Sequence, residues 1–139
     1  MSLSIRNRLP GTVTSVTPGE VMATVKVRLD AGQEITAAIT LEAVRELGLA
    51  SGSTVRALVK STEVALATGP VEGLSIRNRL PGTVTGITSG DAMAGVKVRI
   101  AGGELTSAIT EDAVADLGLS VGSEVVALVK STEVSLSNA

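Results

Sequence analysis

The sequence predicts a mainly β protein: two tandem five-stranded barrels, each carrying one short helix. Three observations lead there. Leu3-Ser-Ile-Arg-Asn-Arg-Leu-Pro-Gly-Thr-Val-Thr14 recurs unchanged as Leu74 to Thr85, and Ala57-Leu-Val-Lys-Ser-Thr-Glu-Val64 recurs as Ala127 to Val134. With one gap near Ala31, residues 3–66 and 74–136 share 43 identities in 63 aligned positions. Within each copy, β-branched and alternating segments are interrupted by a single short stretch of helical spacing. The expected organisation is a first repeat at 1–67, a linker at 68–73 and a second repeat at 74–139.

The elements follow in order. Gly11 to Thr17 is β-branched and ends at Pro18-Gly19, which is turn chemistry. Val21, Ala23, Val25, Val27 and Leu29 then alternate with Met22, Thr24, Lys26, Arg28 and Asp30, a strand with one dry face, and Ala92 to Ile100 repeats it. A hairpin loop at Asp30-Ala-Gly-Gln33 is one residue shorter in the second copy, at Ala101-Gly-Gly103. Glu34 to Ile39 alternates again. Thr40 stands where a helix N-cap is wanted, Leu41, Val44 and Leu47 have helical spacing, and Gly48 suits a left-handed C-cap. Thr110 and Gly118 repeat the pattern. Val55 to Lys60 is the next strand, Ser61-Thr-Glu63 a tight corner, and Val64 to Leu66 begins a last short strand. The order β-β-β-α-β-β in about 65 residues predicts a small OB-like barrel. Gly11 and Gly82 are expected to mark a bend or a close backbone approach, and Asn7 and Asn78 to form turns through local backbone bonds.

Composition excludes several classes. There is no Cys and no His, so disulfides, thiolate chemistry and imidazole bases are absent. With 12 basic and 14 acidic residues, net charge −2, nothing suggests a nucleic-acid partner. The N-terminus lacks the apolar core of a signal peptide. No run approaches the ~18 apolar residues of a membrane span. A cytoplasmic protein without a membrane partner is expected. The chain also lacks Phe, Tyr and Trp, the residues that bury ~150–250 Å² each in most small cores. A core of Val, Ile, Leu and Ala is thin for two such units, so self-association is expected.

The basic residues point to a ligand. Arg6, Arg8, Lys26, Arg28 and Lys60 reappear as Arg77, Arg79, Lys97, Arg99 and Lys130, whereas Arg45 and Arg56 become Ala115 and Val126. Lys26 and Arg28 lie on the polar side of an alternating strand and read as a solvated face. Arg6 and Lys60 instead sit beside hydroxyls, Ser4 and Ser61, at strand edges. A small dianion has acceptor oxygens and no donors, so its site must consist of Arg, Lys, hydroxyl and backbone N–H donors. Charge-assisted bonds contribute ~1.5–3 kcal/mol each, and four or five can leave ~8–10 kcal/mol net, micromolar or tighter binding. Thr40 adds a hydroxyl at a helix start; capping and ligand binding are both open to it.

Ser4-Ile-Arg-Asn7 with Gly11-Thr-Val, Ile39-Thr40 before a short helix, and Val59-Lys-Ser-Thr62 together resemble the molbindin or Mop family of molybdate-binding domains. The resemblance covers both repeats and is to the cytoplasmic tandem members. It implies OB-like barrels, trimers of two-repeat chains, and molybdate or tungstate as the bound ligand, held between subunits, with no organic cofactor. The implied anion-binding residues are Ser4, Arg6, Thr40, Lys60 and Ser61, and in the second repeat Ser75, Arg77, Thr110, Lys130 and Ser131. A hydroxyl that some relatives place on the first helical turn is Ala43 and Ala113 here.

Rival classes are weaker. A Ser–Lys nucleophile pair could be drawn from Ser61 and Lys60, but no oxyanion-hole signature or paired carboxylates accompany it, so no enzyme is expected. Nucleic-acid-binding OB barrels use aromatic platforms, and this chain has none. An effector-sensing module of a transporter or regulator is the remaining alternative. No Gly-rich phosphate loop or helix-turn-helix pattern occurs in these 139 residues, which favours a freestanding store or buffer.

Overall fold

Alternation in the sequence becomes strand in the structure. The computed structural model describes all residues, 1–139. The first repeat forms β1 (Asn7–Pro18), β2 (Met22–Leu29), β3 (Glu34–Thr40), α1 (Leu41–Leu47), β4 (Thr54–Val59) and β5 (Ala65–Ala67), with a 3-10 turn at Ser61–Glu63. The second forms β6 (Asn78–Ser89), β7 (Met93–Ile100), β8 (Gly103–Thr110), α2 (Glu111–Leu117), β9 (Glu124–Val129) and β10 (Ser135–Asn138), with the same turn at Ser131–Glu133. The fold is mainly β, as expected. No helix is long and apolar enough to cross a membrane.

The dry face of β2 is as the alternation predicts, with Ala23, Val25, Val27 and Leu29 all buried. Val21 departs from it and is 72% exposed. The strand begins only at Met22, because Gly19 N–H closes the preceding turn on Met22 O at 2.8 Å. The helix ends match expectation. Thr40 Oγ1 accepts from Ala43 N–H at 3.1 Å, and Gly48 stands at φ 61° with its N–H on the last-turn carbonyls. Leu49 folds back beneath the helix, and α2 repeats each feature.

β1 runs antiparallel to both β2 and β4, and a register shift between Val13 and Ser15 marks a bulge that bends this long strand. Gly11 crosses β2 so closely that a Cβ there would lie 2.7 Å from Arg28 O and 2.8 Å from Val27 Cγ1. That is the close approach its position suggested. Gly82 repeats it against Arg99 O and Val98 Cγ1, both at 2.6 Å. Backbone on one side and a packed valine on the other leave little room to yield. Gly82→Ala is expected to cost about 2–3 kcal/mol of stability, read as a lowered urea midpoint at unchanged slope.

The two sheets exchange strands. Their orders are β10-β4-β1-β2-β3 and β5-β9-β6-β7-β8. Thus β5 leaves the first repeat to pair with β9 (Ala65↔Leu128), and β10 returns to pair with β4 (Ser135↔Leu58). The unit of sequence repeat and the unit of sheet therefore differ by one strand. Leu9, Ile35, Val59 and Val64 meet Leu80, Leu105, Val129 and Val134 across the seam, leaving a void of only about 10 Å³. One hydrophobic cluster runs through both halves. A core without aromatics thus gains its depth first by merging the two repeats.

Asn7 and Asn78 tie the seam. Each is 2% exposed, and neither forms the local turn expected of it. Asn7 Nδ2 donates to Thr106 O and its Oδ1 accepts from Thr106 N–H, both at 2.8 Å. Asn78 makes the same pair with Thr36 at the same distances. The carboxamide stands in for a strand residue and satisfies the outer backbone of the opposite repeat's edge strand, which would otherwise be buried unpaired.

Candidate functional site

The two identical sequence runs meet at one corner of each sheet. Asn7 pairs with Val59, the last residue of the β1–β4 ladder, so Arg6 and Lys60 leave their strands side by side. Ser61 follows as the first residue of the 3-10 turn. Asn78↔Val129 places Arg77, Lys130 and Ser131 in the same way.

The segment before β1 is shaped by two guanidinium groups. Arg6 donates from Nε to Ser4 O at 3.0 Å and from Nη2 to Leu3 O at 2.8 Å. Arg8 donates to Ile5 O at 3.0 Å and to the same Leu3 O at 2.7 Å. Arg77 and Arg79 repeat all four bonds, and Arg79 adds one from Nη1 to Val71 O in the linker at 3.2 Å. Arg8 and Arg79 therefore build the loop that presents Ser4 and Ser75. Sequence reasoning did not assign them this role, although their retention in both copies was a visible signal. Arg6 spends two of five N–H donors on the loop, and the Nη1 pair stays available to a ligand.

Lys60 and Lys130 are exposed and make no ion pair. The two pairs in the molecule are Lys26–Glu34 at 4.0 Å and Lys97–Glu104 at 3.6 Å, on the solvated strand face. The hydroxyls of Ser4, Ser61, Ser75 and Ser131 are likewise engaged with no protein group. At each corner the strand pairing thus places an arginine, a lysine and the serine that follows it close in the backbone, with side-chain donors to spare. Around Lys130, a cavity of about 220 Å³ is also lined by Ile76, between Ser75 and Arg77, by Thr62 and Glu63 of the first repeat, and by Ala108 and Ile109.

Thr40 is not brought to this corner. It pairs with Met22, at the end of the β2–β3 ladder remote from the start of β1. It lines a different, open cavity of about 440 Å³ with Glu20, Val21, Leu41, Glu42, Arg45 and Glu46. Its oxygen accepts the Ala43 N–H, so its own hydrogen remains to be donated. Capping and ligand binding are therefore compatible in the one hydroxyl. Thr110 is arranged identically on Ala113. The N–H of Ala43 is consumed by the cap and does not replace the missing hydroxyl at that position.

The TOBE domain model matches residues 3–66 and again residues 74–136. The chain belongs to the TOBE-domain family. Its two TOBE repeats lie in tandem, and the resemblance to the Mop proteins read from the sequence stands. Molybdenum-pterin-binding protein MopB of Rhodobacter capsulatus is 42% identical over 135 residues, 96% of this chain and 50% of that protein. Molybdenum transport protein ModE of Azotobacter vinelandii is 40% identical over 137 residues, 98% of this chain and 51% of that protein. The chain thus spans about half the length of the curated relatives it matches. Among solved structures, the cytoplasmic molybdate-binding protein ModG, with molybdate bound, superimposes with a TM-score of 0.96 at 42% identity, covering all of both chains.

Proposed function

We propose that this tandem TOBE protein binds molybdate in the cytoplasm, and tungstate with it, as a store or buffer and not as an enzyme. The observation that carries this is the corner itself. The strand register supports it by bringing Arg6 and Lys60 to the same end of the β1–β4 ladder, with Ser61 next in the chain, and neither cation meets a carboxylate within ion-pair distance. An oxyanion dianion supplies the acceptors such a corner lacks. The full-length likeness to ModG supports molybdate as that anion.

The ligands are Ser4, Arg6, Lys60 and Ser61, with Ser75, Arg77, Lys130 and Ser131 in the second repeat. Thr40 and Thr110 complete the sites from a second copy of the chain. Support for completion between copies comes from the position of Thr40, in a cavity apart from its own Arg6–Lys60 corner. Val21 at 72% exposure, with Met22 and Met93 close to half exposed, supplies apolar surface beside the threonines for such an association. A trimer of two-repeat chains is the assembly proposed.

The half-length match to ModE supports a second reading, in which the same pair of repeats senses the anion for an attached regulator. Calorimetric titration with molybdate, tungstate, sulfate and phosphate, together with the mass in solution, tests the proposal. Micromolar or tighter binding of molybdate and tungstate by a trimer is the expected result. A monomer that binds none of the four anions would refute it.

A further inference from the structure

The two repeats differ in charge at the end of the sheet that carries the threonines. Around Thr40 the cavity is lined by Glu20, Glu42 and Glu46, with Arg45 among them. The corresponding positions in the second repeat are Asp91, Asp112 and Asp116, and Arg45 is replaced by Ala115. Leu41, next to Thr40, is replaced by Glu111 next to Thr110. Three carboxylates and a guanidinium thus face four carboxylates and no cation.

Glu111 is also held in place. Its Oε1 accepts the N–H of Gly90 at 3.0 Å, and its own N–H donates to Ala92 O at 2.9 Å. Both partners belong to the turn between β6 and β7, at the same end of the sheet as Thr110, which pairs with Met93. Leu41 makes the equivalent backbone bond to Val21 O at 2.8 Å but brings no charge. A fixed carboxylate next to a hydroxyl that donates to a dianion opposes binding, and the attraction from Arg45 is missing as well.

We infer that the oxyanion sites of this protein fall into two classes, and that Glu111 sets the difference: sites completed by Thr110 bind the dianion more weakly than sites completed by Thr40. This rests on the molybdate reading given above. Glu111 acts on affinity through its charge and is not itself a ligand.

The test is molybdate titration of the full chain and three variants. Glu111→Gln keeps an oxygen for the Gly90 N–H and removes only the charge. Glu111→Leu installs the residue that the first repeat carries at this place, on the same backbone bond to the preceding turn. Leu41→Glu makes the reverse exchange. The wild type is expected to show two affinity classes. Both Glu111 variants should tighten the weaker class about five- to tenfold and leave the stronger one unchanged, whereas Leu41→Glu should weaken the stronger class by a similar factor. An isotherm that does not respond to any of the three, in a wild type that binds molybdate, overturns the inference and leaves the molybdate reading standing. A wild type that fails to bind molybdate overturns both.

Discussion

Asn7→Asp is expected to cost the protein about 4 kcal/mol at pH 7, and Asn78→Asp the same. The amide of Asn7 both donates to Thr106 O and accepts from Thr106 N–H in a site that is 2% exposed. A carboxylate can do only the second and would set a buried negative charge against the carbonyl oxygen. The protonated acid, in contrast, reproduces both bonds. Folding will therefore draw the acid form, with the native pKa of the introduced group raised above its unfolded value of about 3.9. Keeping it protonated at pH 7 costs about 1.36 kcal/mol for each of some three pH units, which gives the figure above. The sign follows from linkage. The penalty is present at neutral pH, shrinks as pH falls, and vanishes near pH 4. Melting wild type and variant side by side should show a gap of about 10–15 °C at pH 7 that closes in acid. A gap independent of pH would mean that this amide does not clasp the repeats as described.

Lys60→Ala is expected to weaken molybdate binding at the first-repeat sites by about 2–4 kcal/mol, roughly 30- to 1000-fold, with no loss of stability. Lys60 has no ion pair to lose, so the folded state should not notice its removal. Arg6→Ala should weaken binding to the same degree. It also removes two exposed bonds, freeing Ser4 O and leaving Leu3 O to Arg8 alone, so a small drop in melting temperature is expected with it. Combining Lys60→Ala with Lys130→Ala should remove tight binding at both sets of sites. Titrations showing equal affinity in wild type, Lys60→Ala and Arg6→Ala would rule out these ligand assignments.

Local chemistry made much of this legible in the sequence. Thr40, the helical spacing of Leu41, Val44 and Leu47, and Gly48 specify a helix from cap to cap, because each acts within a few residues of itself. Alternation from Ala23 to Leu29 specifies a strand with one dry face. The Arg6–Lys60 corner was legible as two runs that survive duplication, and the β1–β4 register brings them side by side. Val21 was misassigned because a periodic pattern does not say where a turn hands over to a strand. Asn7 was misread because its partner, Thr106, lies 99 residues away and belongs to the other repeat. Side-chain composition gives no hint of so distant a bond.

By itself the sequence determined the inventory: two copies of one β-rich unit, with their caps and turns, which depend on interactions between near neighbours. The donor-rich residues were visible too, but only the pairing of β1 with β4 brings Arg6 and Lys60, far apart in the chain, to one corner. Which strand completes which sheet was decided only by the tertiary structure. Leu58 and Leu128 sit in identical Ala-Leu-Val-Lys segments, so β5 and β10 meet the same local partner whether they stay home or cross over. Local pairing is thus the same at the first two rungs in either arrangement and differs only at the third, where Arg56 and Val126 stand at equivalent places. The choice falls to the shared apolar seam and the two asparagine clasps, which exist only when both repeats are folded against each other.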